Sequence, residues 1–337
     1  MGKGDCSMVG SSPLSGVGLF GPEYVVVKAT LEEATGTADA TLAVQGAIDS
    51  ALLAGIGRVL IPRGVYRVGQ TIRVLLSDNE RFELVGSHAV LQASGSAASP
   101  VLDITGGALS VRGLIIDCND VAAVGLHARK LTNRYSVIQD VAVARSITDG
   151  FLFEACQGAV VRECVSRCNA TNGWRILGDN ASHFASCSAS HNNGSGFLLS
   201  GLALPSASGV ELFPGGSYIT RATSECNGMH GILLSQPFNM LAWQAGQFVV
   251  RDGVVRGNRG HGVVVGERNT LVTGLWIASA TGDAFPWSRG IVVEPATRDV
   301  LVFGNYLSAT GGPLGYKDPD YDLDEPSVVL HSNFSFE

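Results

Sequence analysis

Asp149-Gly150-Phe151-Leu152-Phe153, Asn172-Gly173-Trp174-Arg175-Ile176 and Ser195-Gly196-Phe197-Leu198-Leu199 repeat one pattern at a spacing of 23 residues. Each is a glycine followed by an apolar-x-apolar strand. The pattern also stands 25 residues upstream at Gly125, and downstream at Gly231, Gly262 and Gly290 after gaps of 35, 31 and 28. A repeat of this length means stacked units that bury a core only together. Shortly before most of these glycines comes an asparagine: Asn119, Asn169, Asn192, Asn227 and Asn258. Asn and Gly mark turns in any fold, but turn preference does not explain a constant offset from a strand. On rungs about 4.8 Å apart these side chains would form a vertical ladder of amides.

Composition agrees with an ordered solenoid. Of the 337 residues 45% are hydrophobic, 16% are charged and 43 are glycine, which describes strands and turns around a core. A net charge of -7 argues against a nucleic-acid backbone or an anionic membrane as the partner. No run of 18 apolar residues is present. Seven cysteines do not make a disulfide framework in so long a chain. Cys164 and Cys187 fall in one repeat column, either bridged or, as Cys is often simply buried, stacked as reduced thiols. The first ten residues lack a charged start followed by an apolar run, so no export signal is expected.

Residues 1–22 are rich in Gly, Ser and Pro and read as an attachment arm or a frayed end. Residues 23–80 change character. A strand at Tyr24 to Lys28 leads to Asp39 as a helix N-cap, and Leu42, Ile48, Ala51 and Leu52 are expected on one helical face. Gly55 and Gly57 end that helix, and Arg58 to Val68 reads as strand, turn, strand. The run Gly36-Thr37-Ala38-Asp39-Ala40-Thr41, the helix with Gln45, Ile48 and Asp49, and Gly57 through Pro62-Arg63-Gly64-Val65-Tyr66 resemble the opening of pectate-lyase-superfamily proteins, phage tailspikes among them. The resemblance implies an all-β, right-handed parallel β-helix with a short N-terminal helix capping the stack, and residues 81–337 as its body. It implies no single activity, because that family includes pectin-cleaving enzymes, alginate epimerases and tailspikes.

Residues one and three after each glycine are apolar and should face inward; the residue between them should face out. That outward column is His127, Leu152, Arg175, Leu198, Leu233, Val264 and Val292, mostly aliphatic, and such a stripe calls for a cover. Loops or neighbouring subunits would supply it, and the side-by-side trimers of tailspike-like relatives would suit it. Insertions are expected at 201–217, 236–247, 281–289 and 311–326. The first two leave the same strand end in consecutive coils and should wall one groove. Asp318 to Glu325 alternates carboxylates as calcium loops do, but without the required Gly and Glu spacing, so it reads as a solvated acidic turn. No metal and no cofactor is expected.

For chemistry, a glycosidase would need paired carboxyls, and no single column supplies a pair: Glu154 and Glu294 share one five coils apart. A dyad would therefore recruit an insertion acid such as Glu211 or a carboxyl of another subunit. A lyase would use a base and a cation, for which Arg175 with His230 are candidates. Asp149, Asn172, Ser195, His230 and His261 precede the glycines as a polar stripe that either binds sugar hydroxyls or forms the rim that turns require. Phe213, Phe238 and Trp243 in the insertions either stack on sugars or anchor their loops. The expected function is a tailspike-like, homotrimeric β-helix in a virion tail that binds a bacterial polysaccharide and, if active, depolymerises it. Residues 1–22 would meet another virion protein. The alternatives are a secreted or periplasmic lyase, hydrolase or epimerase, and a non-catalytic particle protein.

Overall fold

A computed structural model of the chain describes residues 24–78, 80–131, 135–200, 217–235, 248–266, 269–278, 290–294, 297 and 299–308, with the backbone of strands at 204–205, 211–212, 328–331 and 334–336. It is an all-β parallel solenoid with two short helices. Nine strands stack in one face: Ile72–Leu75, Leu102–Thr105, Leu126–Arg129, Phe151–Glu154, Trp174–Leu177, Phe197–Ser200, Ile232–Ser235, Val263–Val265 and Ile291–Val293. The other strands of each coil form a 21-stranded sheet folded along a bend. Ala108–Asp117 and Val137–Ala144 cross that bend unbroken. Later coils break there at one left-handed residue, as at Glu163 (φ 57°), Ser186 (φ 54°), Arg221 (φ 53°) and Asp252 (φ 57°).

The register explains the repeat. Phe151 pairs with Trp174, Trp174 with Phe197 and Phe197 with Ile232, so residues 23 or 35 apart in sequence become vertical neighbours. Their inward rings stack: Phe151 on Trp174 at 3.9 Å between centroids, and Trp174 on Phe197 at 5.7 Å, both nearly coplanar. Phe184 from the opposite wall meets Phe153 edge to face at 5.3 Å. The indole N–H of Trp174 donates to the Ser188 carbonyl at 3.0 Å, which satisfies a buried donor inside this core.

The amide ladder runs through four asparagines. Asn169, Asn192 and Asn227 each donate Nδ2–H to the Oδ1 of the next, ending on Asn258, at 2.7, 2.9 and 2.8 Å. Each Oδ1 also accepts the backbone N–H of the preceding asparagine, at 3.0–3.2 Å. Ser146 closes the upper end through its N–H and hydroxyl, both donated to Asn169 Oδ1. Asn119 lies outside the ladder: Ser146 interrupts the column, and Asn119 instead donates to the Ala93 carbonyl and accepts from Arg145. The glycine column is coupled to this ladder by close approach. A Cβ on Gly173 would stand 2.8 Å from Asn192 Nδ2 and 2.8 Å from the Gly196 carbonyl oxygen.

The helix Thr41–Leu53 turns Val44, Ala47, Ile48 and Ala51 inward against the first strands. Leu42, expected on that face, is 85% exposed, because the buried stripe follows the 44, 47, 48, 51 spacing. Asp39 accepts the Thr41 N–H at 2.8 Å, so it holds the helix start from one residue further out than an N-cap. Gln45 treats the edge strand as a further strand would: it accepts the Arg73 N–H at 2.8 Å and donates to the Arg73 carbonyl at 3.0 Å. Cys164 and Cys187 are buried and unbridged. The strands at 328–331 and 334–336 pair in parallel with Val300–Phe303 and Tyr306–Ser308, extending the stack past 308.

Asp179 anchors the chain where it re-enters the stack. Its carboxylate accepts from Ser182 at 2.6 Å and from Ser217 at 2.5 Å. Burial pushes its acid up to about 6, against the pull of those two hydroxyls.

Two outcomes are expected. Asn192→Ala removes the acceptor for Asn169 and lowers stability by about 3 kcal/mol, whereas Asn119→Ala changes it by less than about 1 kcal/mol; chemical denaturation measures both. Because the Asp179 acid is raised on folding, its contribution is full below pH 3.8 and is lost as pH rises through about 6. Between those limits the stability of Asp179→Asn relative to wild type should improve by up to about 3 kcal/mol. An unchanged difference across that range would refute the buried-acid account.

Candidate functional site

Along the outward position of the nine-strand face the register aligns Arg73, Asp103, His127, Leu152, Arg175, Leu198, Leu233, Val264 and Val292. Two residues further along the strands run Leu75, Thr105, Arg129, Glu154, Leu177 and Ser200. Strand alternation puts both columns on the outer surface. The upstream part of this face is charged and the downstream part aliphatic.

The charged part is a connected cluster. His127 sits on the middle of three rungs, with Asp103 on the rung before and Glu154 on the rung after. His127 Nε2 lies 2.7 Å from Glu154 Oε2, a hydrogen bond in which the ring nitrogen donates to the carboxylate. His127 Nδ1 lies 3.8 Å from Asp103 Oδ1. Arg129 donates from Nη2 to Asp103 Oδ2 at 2.6 Å. Asp103 is only 6% exposed, so its charge depends on that guanidinium, whereas Arg129 and Glu154 reach solvent. One rung beyond Glu154, Arg175 is half exposed and stands 3.5 Å from Asp149. The result is a narrow line of proton-transfer groups flanked by two cations.

No protein-family model and no curated protein matches the sequence. Solved structures do match. The A-module of the Azotobacter vinelandii mannuronan C-5 epimerase AlgE6 superposes with a TM-score of 0.63 at 18% identity, covering 91% of this chain and 97% of that one. ORF18 of Geobacillus virus E2 gives 0.63 at 16%, covering 86% and 59%. The Dettilon tailspike protein gives 0.52 at 14%, covering 92% and 68%. The chain is a parallel β-helix protein.

The β-helix brings some of the sequence candidates together and separates others. Glu154 and Arg175 lie on adjacent rungs of the charged face. Asp149 is 2% exposed, and its carboxylate accepts from the Thr171 hydroxyl and from the backbone and side-chain amides of Asn172, as well as facing Arg175. It holds a turn and steadies an arginine. His230 stacks on His261 at 5.2 Å, and the His261 N–H donates to His230 Nδ1 at 3.0 Å. Burial pushes the His230 imidazole down to about 4, with His261 adding to the shift, so it is neutral at physiological pH. Arg175 and His230 do not meet, being two rungs or roughly 10 Å apart along the stack. Glu211 lies in a two-residue strand that pairs with Leu204–Pro205, and its side chain is outside the described residues. Phe213, Phe238, Trp243 and the acidic run from Asp318 also lie outside them.

Asp103, Thr105 and Arg129 went unrecognised in the sequence. Val101 occupies the glycine position of its rung, so a search keyed on glycine skips Leu102–Thr105. In addition, Asp103 with Arg129 and His127 with Glu154 are diagonal neighbours, which no single column of the repeat displays. The signal was present as Asp103, His127, Arg129 and Glu154, charged residues at outward positions of successive strands. Among the described residues, no group of three or more His, Cys, Asp and Glu side chains is placed to hold a metal ion, and no helix is long and apolar enough to cross a membrane.

Proposed function

We propose that this chain acts on an anionic bacterial surface polysaccharide laid along the nine-strand face, and that His127 draws a proton from a sugar carbon. The observation that carries the reading is His127 hydrogen-bonded to Glu154 at 2.7 Å at an outward position of the nine-strand face, with Asp103 and Arg129 beside it. With Nε2–H donated to Glu154, Nδ1 is the ring nitrogen left to take a proton, and the carboxylate stabilises the positive charge that this brings to the ring. Arg129 and Arg175 supply positive charge for the carbanionic state that proton removal creates beside a uronate carboxylate. Hydrolysis would need two carboxyls free to act on a glycosidic bond, and here Asp103 is committed to Arg129 and Glu154 to His127. The likeness in fold to a mannuronan epimerase and to a tailspike supports a polysaccharide as the partner.

The proposal extends to assembly. The solenoid is right-handed, the helix Thr41–Leu53 closes its first turn, and residues 23–80 form that cap with the first strands. Residues 81–337 form the body, whose insertions wall the groove. Residues 1–22 attach it to another virion protein, and three copies pack side by side in a phage tail. The outward aliphatic stripe favours this: Leu152, Leu198, Leu233 and Val292 are half-buried in a single chain and available for further cover. A secreted lyase or epimerase is the second reading, favoured by the near-complete coverage of the AlgE6 A-module.

Incubation with uronate polymers in deuterated water separates the chemistries. Proton abstraction incorporates solvent deuterium or produces unsaturated uronate, and His127→Ala should lower either by about a thousandfold; new reducing ends without unsaturation or exchange would mean hydrolysis and overturn the reading. Light scattering should give three times the chain mass for the tailspike assembly, and a monomer at micromolar concentration favours the secreted enzyme.

A further inference from the structure

Three polar atoms in the charged cluster are buried without a hydrogen-bond partner: Asp103 Oδ1, Thr105 Oγ1 and Arg129 Nε. They are neighbours. Asp103 and Thr105 are two residues apart on one strand and so face the same side, and Thr105 pairs across the ladder with Arg129. The link between Asp103 and Arg129 uses only one arm of each group, Nη2 to Oδ2 at 2.6 Å. A guanidinium and a carboxylate ordinarily gain from pairing through both arms, and leaving one buried member of each unpaired forfeits the hydration each had in water.

The chemistry of the three atoms is complementary to a single group. Asp103 Oδ1 accepts a hydrogen bond, Arg129 Nε donates one, and the Thr105 hydroxyl does either. An oxygen that donates one proton and accepts the others satisfies all three: a hydroxyl, or water in its place. A carboxylate does not, because Asp103 Oδ1 would repel it. An ammonium does not, because Arg129 Nε offers no acceptor. Asp103 Oδ1 is also the atom 3.8 Å from His127 Nδ1, so whatever sits there is adjacent to the proton-transfer nitrogen.

We infer that Asp103, Thr105 and Arg129 form a seat for one hydroxyl oxygen, filled by water in the free protein and by a sugar hydroxyl in the complex. The second occupant rests on the polysaccharide reading above; the first does not. The seat determines specificity: it reads a hydroxyl on the sugar whose carbon faces His127, and a sugar without that hydroxyl leaves three buried polar atoms unpaired.

Two measurements test this. A crystal structure of the full chain, at a resolution that shows ordered water, should contain one oxygen within hydrogen-bond distance of all three atoms. Thr105→Val, nearly isosteric, should lose it, and Thr105→Ser should keep it. A two-armed pair between Arg129 and Asp103 with no oxygen between them overturns the seat. In calorimetric titration with oligomannuronate and oligogalacturonate, Thr105→Val should raise Kd about tenfold for whichever binds, with Thr105→Ser restoring it. Equal affinity in wild type and Thr105→Val overturns the sugar-hydroxyl half. An oxygen in the crystal without binding of either oligosaccharide, or of any capsular polymer, leaves the water seat standing and removes the polysaccharide reading instead.

Discussion

The alignment of rung on rung is the constraint on which the other features of this chain depend, and in the central coils the amide ladder enforces it. Parallel strands can slip along one another, and a slip of one residue would send every inward side chain to the surface. Asn169, Asn192, Asn227 and Asn258 oppose slippage because each oxygen takes two donors from the rung above, one from the backbone and one from the side chain. The bonds are buried, so breaking them exposes no compensating water. The glycine column allows the ladder to exist, since a Cβ at Gly196 or Gly231 would collide with the amide nitrogen that the ladder requires. The aromatic stack of Phe151, Trp174 and Phe197 depends on the same register.

Register in turn builds the site. On a solenoid, a residue's neighbours on the surface are set by which rung it occupies, and His127 has Asp103 and Glu154 on either side only because the rungs are aligned to the residue. A shift of one residue in the rung Leu126–Arg129 would turn His127 inward. The Asp103–Arg129 pair also depends on this alignment, and a carboxylate so thoroughly buried is tolerable only with its cation beside it. Precision of register therefore becomes precision in the placement of His127, on rungs upstream of the ladder that are held by their own strand pairing.

Much of the architecture was legible in the sequence, because a repeated letter reports a repeated environment. The glycines, the inward apolar positions and the asparagine column all recur for one physical reason each, and the strands lie where that periodicity puts them. The charged cluster was not legible in the same way. Its members are not repeated, since each contributes a different group to one place, and repeat analysis is blind to what occurs once. Val101 in place of glycine hid one rung. Leu42 on the helix misled for a related reason: hydrophobicity marks a candidate face, but the spacing of Val44, Ile48 and Ala51 decides which face is buried. His230 and His261 were legible as neighbours in a polar stripe, and the two rings stack, with the His261 backbone N–H donated to His230 Nδ1.

The nine-strand face divides into a charged upstream part and an aliphatic downstream part. Leu198 and Leu233 lie on the strands that end at Ser200 and Ser235, where the chain departs for its two longest mid-chain insertions. Apolar outward residues suit a surface that other chain segments approach, and Val264 on the following rung is already 4% exposed. Upstream, Thr105 leads through Gly106 and Gly107 to the next strand at Ala108, and no comparable insertion arises there. There Arg129, Glu154 and Arg175 reach solvent, while Asp103 and His127 are largely covered. A polymer lying parallel to the solenoid axis, as proposed above, would run from the charged part of this face to its aliphatic part. The charged cluster and the aliphatic stretch then occupy successive lengths of one face, and the alignment of rung on rung is what strings single residues from separate coils into a line that an extended ligand can follow.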